Sequence, residues 1–232
     1  MAGKIYLIPV TLGGDDYLKV IPEKVISLTK MLRYFIVEDL RSARRYLRLI
    51  EKSFPIDESV FFELNKHTPE SDISGFLDPV MKGHDIGILS EAGLPGIADP
   101  GAKIVALAHK KRLRVIPLSG PSSIILALIS SGFNGQNFSF NGYLPVKPAE
   151  KISRIRELEM KAREGYAQLF METPYRNQKM FESIVSACSN ETLLCIASDI
   201  TLPDEDIRTM NIGEWKKNIP SLNDRFVMFL LQ

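Results

Sequence analysis

The residues best suited to chemistry fall in two turn-rich stretches, LSEAGLPGIADPG at 89–101 and PLSGPSS at 117–123. The first packs three glycines and two prolines directly behind the apolar run Ile86–Leu89, and the second carries hydroxyls at Ser119, Ser122 and Ser123. A strand-to-helix connection needs only about two to six residues, so the first stretch is longer than a connection requires. Glycine lets a backbone turn sharply or approach a ligand closely. A long glycine-rich loop at a strand's carboxyl end is also where α/β sheets bind small molecules. The chemistry on offer is recognition by loop backbone and hydroxyls. Other chemistries lack their residues. The loop after the first apolar run reads TLGGDD, which is neither GxGxxG nor GxxxxGK[ST], although Gly13 and Gly14 still permit a sharp turn. GxSxG is missing, and Ser119-Gly120 has no evident histidine partner. His67, His84 and His109 stand apart, without i, i+4 or CxxC spacing, so no catalytic metal is expected.

The elements that must position these loops follow from hydrophobic patterning. Ile5–Val10, Tyr34–Val37, Val60–Leu64, Ile86–Leu89 and Arg114–Leu118 are short, apolar and rich in β-branched or aromatic residues, and predict strands. Pro22–Leu32, Leu40–Lys52, Pro69–Lys82 and Gly101–Lys111 predict the helices between them, with Pro22 and Pro69 suited to a first turn. Strict alternation implies βαβ units and a mainly parallel sheet. The pattern changes after Pro117. Ser122–Ser131 predicts a helix closed by Gly132, and 138–144 a half-buried strand. Lys147–Glu164 predicts a charged helix, and Ala167–Thr173, Leu193–Ile200 and Phe226–Leu231 further strands in a mixed sheet. The expected architecture is α/β with two α/β domains, 1–116 and 117–232, joined at PLSGP with the glycine-rich loops near a cleft between them.

Composition bounds the function classes. The 232 residues are 45% hydrophobic and 25% charged, which suits a globular protein. No apolar run approaches the roughly 20 residues of a membrane span, and MAGKIYLIPV lacks a signal-peptide cleavage pattern. Cys188 and Cys195, the two cysteines, predict reduced core residues in a cytoplasmic protein. A net charge of +1 argues against a uniformly basic nucleic-acid binder, though Arg41, Arg44, Arg45 and Arg48 cluster at near-helical spacing and HKKRLR fills 109–114. Solvated helix faces and helix ends account for such clusters equally well.

Taken in order, SEAGLPGIADPG, PLSGPSS, SGF, FSFNGYLPVK, FMETPYR and ASDIT resemble the motifs of the tetrapyrrole methylase superfamily of S-adenosylmethionine-dependent methyltransferases. Within it the chain is most similar to the branch that 2′-O-methylates a cytidine ribose in small-subunit ribosomal RNA. That branch typically reads SDAGTPLISDPG, PGPSA, GFLPRK, YESPHR and RELT at these places. Departures fall at Glu91 for aspartate, Leu94 for threonine, Val146 for arginine and Gly14 in a loop that lacks the usual asparagine. VEDLR keeps Glu38, Asp39 and Arg41 of an AEDTR-like motif.

The resemblance implies two α/β domains, a homodimer and S-adenosylmethionine held between the domains. It implies that Pro9, Glu91, Gly93, Leu94, Ile97, Ala98, Ser122, Ser123, Met171 and Ala197 bind the cofactor. Each has a plainer reading: the glycines make turns, the serines cap a helix, and Met171 and Ala197 belong to the core. Methyl transfer from a sulfonium is an in-line displacement that needs neither metal nor covalent enzyme intermediate. A ribose hydroxyl is a weak nucleophile and calls for a proton acceptor or a cationic stabiliser. Matching motifs supply Glu38, Lys147, Glu172 and Arg176 as the catalytic candidates, beside Asp39 and Glu91. Three readings stay open at this level. They are an RNA ribose methyltransferase acting on ribosomal RNA or the small subunit, a same-fold enzyme acting on a tetrapyrrole or other small molecule, and a non-catalytic binding protein with a decayed site.

Overall fold

The computed structural model describes residues 2–65 and 67–232. The chain divides into two compact units, Met1–Ser122 and Ser123–Gln232.

The first unit alternates strands and helices: β1 (Lys4–Ile8), α1 (Glu23–Met31), β2 (Tyr34–Val37), α2 (Leu40–Ile50), β3 (Val60–Glu63), the short turns α3 (Glu70–Ile73) and α4 (Asp78–Met81), β4 (Ile86–Leu89), α5 (Gly101–Lys110) and β5 (Arg114–Pro117). The five strands pair in parallel in the order β3-β2-β4-β1-β5. Side chains alternate across the pleat. Tyr6, Ile8, Phe35, Val37 and Leu89 meet α1 and α2 on one face. Ile5, Ile36, Ile86 and Ile88 meet Ile73, Leu77, Val80, Ile104 and Ala108 on the other. Gly87 makes room on the first face, where an added Cβ would lie 2.4 Å from Ile8 Cδ1. The expected helix over Pro69–Lys82 is broken. Ser74–Leu77 tightens into a 3-10 turn between α3 and α4, with Pro79 placed in the first turn of α4.

The second unit comprises α6 (Ser123–Ser131), β6 (Phe138–Tyr143), α7 (Pro148–Arg163), β7 (Ala167–Met171), α8 (Asn177–Ala187), β8 (Leu193–Ser198), β9 (Asp206–Asn211), α9 (Ile212–Trp215) and β10 (Val227–Leu231). Its sheet is mixed, as expected, in the order β6-β7-β10-β8-β9, with β6 and β7 parallel and the remaining pairs antiparallel. One face packs Phe170, Ile196 and Phe229 against Ile155, Leu158, Phe181, Ile184 and Trp215. The Trp215 indole N–H donates to the Leu194 carbonyl at 2.8 Å, which satisfies its one polar atom in the core. Cys188 and Cys195 are buried and free, with thiols pushed up to about 12 and about 11 by burial, so neither is a nucleophile at neutral pH. No described helix is long and apolar enough to cross a membrane.

Candidate active site

The order of the parallel sheet locates the site. β2 sends its chain through α2 on one face outward to β3, and its neighbour β4 sends its chain through α5 on the opposite face toward β5. The two connections diverge, and such a switch point leaves a crevice beyond the strands' carboxyl ends. The loop at 90–100 opens there, and the loop at 9–16 lies against it. They are tied together by the Val10 amide donating to the Gly93 carbonyl at 2.9 Å and the Gly93 amide to the Thr11 carbonyl at 3.4 Å. Gly93 has φ +69, and a Cβ there would stand 3.1 Å from Leu12 Cδ2 and 3.4 Å from the Pro121 carbonyl oxygen. Gly120 lies so close to Pro9 that a Cβ would reach 2.2 Å from the proline Cβ. The Pro9 carbonyl accepts from the Tyr46 hydroxyl at 3.2 Å, which links α2 to the first loop.

Asp99 fixes the rest of the long loop. Its two carboxylate oxygens accept the amides of Gly96 and Gly101, each at 2.6 Å. Burial raises its pKa although these amides oppose the shift. Ala98 is held at φ +60, an unusual conformation for a residue with a side chain. The pinned loop turns Glu91, Ile97 and Ala98 outward while Gly93 and Pro95 are buried and Leu94 is half-buried. Ser122 is buried, and Ser123 opens α6 in the second unit.

Carboxylates border this edge. Glu38, just past β2, is half-buried, and its pKa is raised, first by burial and then by the nearby charges of Glu91, Asp99 and Asp39. The Glu91 amide, which donates to Glu38, opposes that shift. Asp39 faces the other way in function: it caps α2 by accepting the Ser42 amide at 2.7 Å, which lowers its pKa. The structure therefore separates neighbours that the VEDLR motif presents together.

In the second unit the candidates gather beyond β7. Glu172 is closed off, its side chain 0% exposed. Its Oε1 accepts Arg176 Nη2 at 2.6 Å and the Thr173 amide at 2.8 Å, and its Oε2 lies 3.8 Å from Lys151 Nζ on α7. The bond to Glu172 raises the pKa of Arg176. Glu172 Oε2 and Arg176 Nε make no hydrogen bond within the described structure. Met171 is half-buried at the end of β7, Ala197 is fully buried in β8, and Lys147 is exposed and pairs with Glu150 at 3.1 Å. Among the described residues, no group of three or more His, Cys, Asp or Glu side chains is arranged to hold a metal ion.

Sequence reasoning missed three parts of this arrangement. Asp99 was legible as an aspartate three residues after one glycine and two before another, a spacing suited to a side chain that closes its own loop. The Tyr46 link had no local signal, since it joins residues 37 apart. Lys151 was hidden in a charged helix and surfaces as a partner only through packing.

The parallel sheet with its glycine-rich loops is an α/β arrangement of the kind that binds small molecules beyond the strands' carboxyl ends. Among solved structures the chain matches the methyltransferase CobJ with a TM-score of 0.63 at 16% identity, over 99% of this chain and 94% of that one, a likeness of fold. No protein-family model matches the chain.

Among curated proteins the chain is similar to those named ribosomal RNA small subunit methyltransferase I. The Vibrio cholerae protein is 27% identical over 212 residues, covering 90% of this chain and 69% of that relative. The Escherichia coli O157:H7 protein is 26% identical, over 91% and 70%, and the Streptococcus pyogenes protein 27% identical, over 92% and 70%. The resemblance read from the motifs is borne out along nearly the whole chain.

Proposed function

We propose that this chain is an S-adenosylmethionine-dependent methyltransferase that 2′-O-methylates a ribose of small-subunit ribosomal RNA. The cofactor half of the reading is carried by one observation, the loop 89–101 pinned at the switch point by Asp99 and by its pairing with Val10 and Thr11. The ribose acceptor rests on the motif resemblance, and small-subunit ribosomal RNA on the name of the relatives. When bound, S-adenosylmethionine supplies a methyl group activated by a sulfonium cation. The chain offers what such a ligand needs: a glycine at φ +69 that lets the loop turn, exposed Ile97 for an apolar ring, and the exposed carboxylate of Glu91 for its cationic groups.

In this reading Pro9, Gly93, Leu94, Ile97, Ala98 and Ser122 line the cofactor from the first unit. In the second unit Ser123, Met171 and Ala197 are the positions that match the motifs. Of these, Ala197 has its side chain in the core and so acts through shape or backbone. Holding the acceptor oxygen in line with the methyl carbon supplies about 7–11 kcal/mol of the barrier. Glu38 would accept the proton of the acceptor hydroxyl. It is the better base because it is part open and its proton affinity is raised, whereas Glu172 is engaged by Arg176 and Lys151. Glu172 and Arg176 then act as a positioning pair, and Lys147 as an exposed phosphate contact.

Small subunits lacking the modification, incubated with methyl-labelled cofactor and this protein, test the reading. Label retained in the RNA is the expected result. Label found only in an added tetrapyrrole or other small molecule overturns the acceptor, and failure of calorimetry to detect cofactor binding overturns the enzyme. A homodimer belongs to the same proposal, and sedimentation equilibrium at micromolar concentration tests it.

A further inference from the structure

Two exposed tyrosines stand at the carboxyl end of the parallel pair β6–β7. Tyr175, on the 3-10 turn Pro174–Arg176, is 68% exposed, and Tyr143, whose register partner is Met171, is 57% exposed. The Arg176 guanidinium lies 5.2 Å from the centroid of the Tyr175 ring, and both tyrosines are close enough to contribute to its raised pKa. This guanidinium is not a floppy surface cation. Its Nη2 is held at 2.6 Å by a carboxylate with no solvent exposure, so ring and cation are presented in one fixed arrangement. Lys147, four residues after Tyr143 and paired with Glu150 at 3.1 Å, and Lys179, four residues after Tyr175, are exposed. An aromatic face beside a guanidinium held by a buried carboxylate matches the chemistry of an unstacked nucleobase and its phosphate.

We infer that Tyr175, backed by Arg176 and flanked by Tyr143, is a stacking surface for an unpaired base of the RNA acceptor. This rests on the RNA reading above and adds to it the place where the strand is gripped. Base stacking on an aromatic ring is sequence-tolerant, so this surface grips the strand while selection of the nucleotide lies elsewhere.

The test compares a single-stranded ribosomal RNA oligonucleotide with the same strand carrying abasic positions, by fluorescence anisotropy on the wild-type protein. Tyr175→Ala, Tyr143→Ala and Tyr175→Phe are measured beside it. The wild type is expected to prefer the base-containing strand by about tenfold. Tyr175→Ala should lose most of that preference, Tyr143→Ala part of it, and Tyr175→Phe should keep it, with cofactor affinity unchanged in all three. An equal preference in wild type and both alanine variants overturns the surface. So does a change of sedimentation mass in the variants with the preference intact, because the tyrosines then belong to an interface between copies. Methyl transfer to small subunits is scored separately. Transfer without a base preference discards the stacking surface and keeps the RNA enzyme, whereas a base preference without transfer keeps the surface and discards the enzyme.

Discussion

Glu38 and Glu172 both stand just beyond the carboxyl end of a strand, and the family motifs offer both as catalytic, yet the two surroundings are opposite. Glu38 has carboxylates for neighbours, is part open, and holds its proton more tightly than an ordinary glutamate. Glu172 has an arginine and a lysine for neighbours and no exposed side-chain surface. A carboxylate among like charges is costly to ionise and suited to accepting a proton. One locked between cations is suited to holding a turn in place. In the proposed reaction this difference suits Glu38 to accepting a proton and Glu172 to holding its turn.

The largest expected effect breaks the holding side. Glu172→Ala leaves Arg176 and Lys151 without their carboxylate and should destabilise the protein by about 3–5 kcal/mol, read as a lowered denaturant midpoint. Glu38→Gln should do the reverse. A carboxylate whose folded pKa is raised adds stability fully present below its unfolded pKa and lost as pH rises through the folded pKa. At neutral pH Glu38 is therefore a small cost, and the glutamine variant should be as stable as wild type or slightly more so. Its methyl-transfer rate should nevertheless fall by about 100-fold. In the wild type that rate should drop on the acid side with a midpoint above the ordinary glutamate range, and the glutamine variant should lack this limb. A Glu38→Gln enzyme that keeps both rate and acid limb would erase the contrast.

Smaller effects sharpen the contrast. Gly93→Val forces a branched side chain into φ +69 beside Leu12 and the Pro121 carbonyl. It should weaken cofactor binding by about tenfold, a change of about 1.4 kcal/mol in binding free energy, while leaving the Glu172–Arg176 pair of the second unit undisturbed. Calorimetry on the folded variant measures it. Reversal of charge at Arg44 and Arg45 on α2 should reduce the salt dependence of RNA binding, with the log–log slope falling by about 0.7 per lost phosphate contact. Arg45 is expected to contribute more, because the Arg44 guanidinium already lies 5.5 Å from the centroid of the Phe61 ring.

What the sequence revealed and what it hid divide along the same physical line. The parallel sheet was legible because β1, β2 and β4 are buried on both faces and read as unbroken apolar runs. Strand β9, DIRTMN, went unseen because it is a polar edge strand that is paired on one side only, by β8. Helix α8 was also missed. It has Arg176 where a capping residue would announce it, although Met180, Phe181 and Ile184 mark its buried face. The helix expected over Pro69–Lys82 failed at Gly75 and Pro79, residues that weaken a helix interior but do not say where it breaks. At the candidate site, the glycine-rich stretch was legible because it is a local property. The roles of Glu38 and Glu172 were not local. They depend on Asp99 and Glu91 in one case and on Lys151 in the other, brought close only by folding.

The account stands most directly on the fate of the methyl group. Small subunits labelled by this protein with methyl-labelled S-adenosylmethionine, digested to nucleosides and separated by mass spectrometry, should carry the label on a 2′-O-methyl ribose. That label should diminish by about 100-fold with Glu38→Gln. Label on a base carbon or nitrogen, or a 2′-O-methyl yield indifferent to Glu38→Gln, would contradict it.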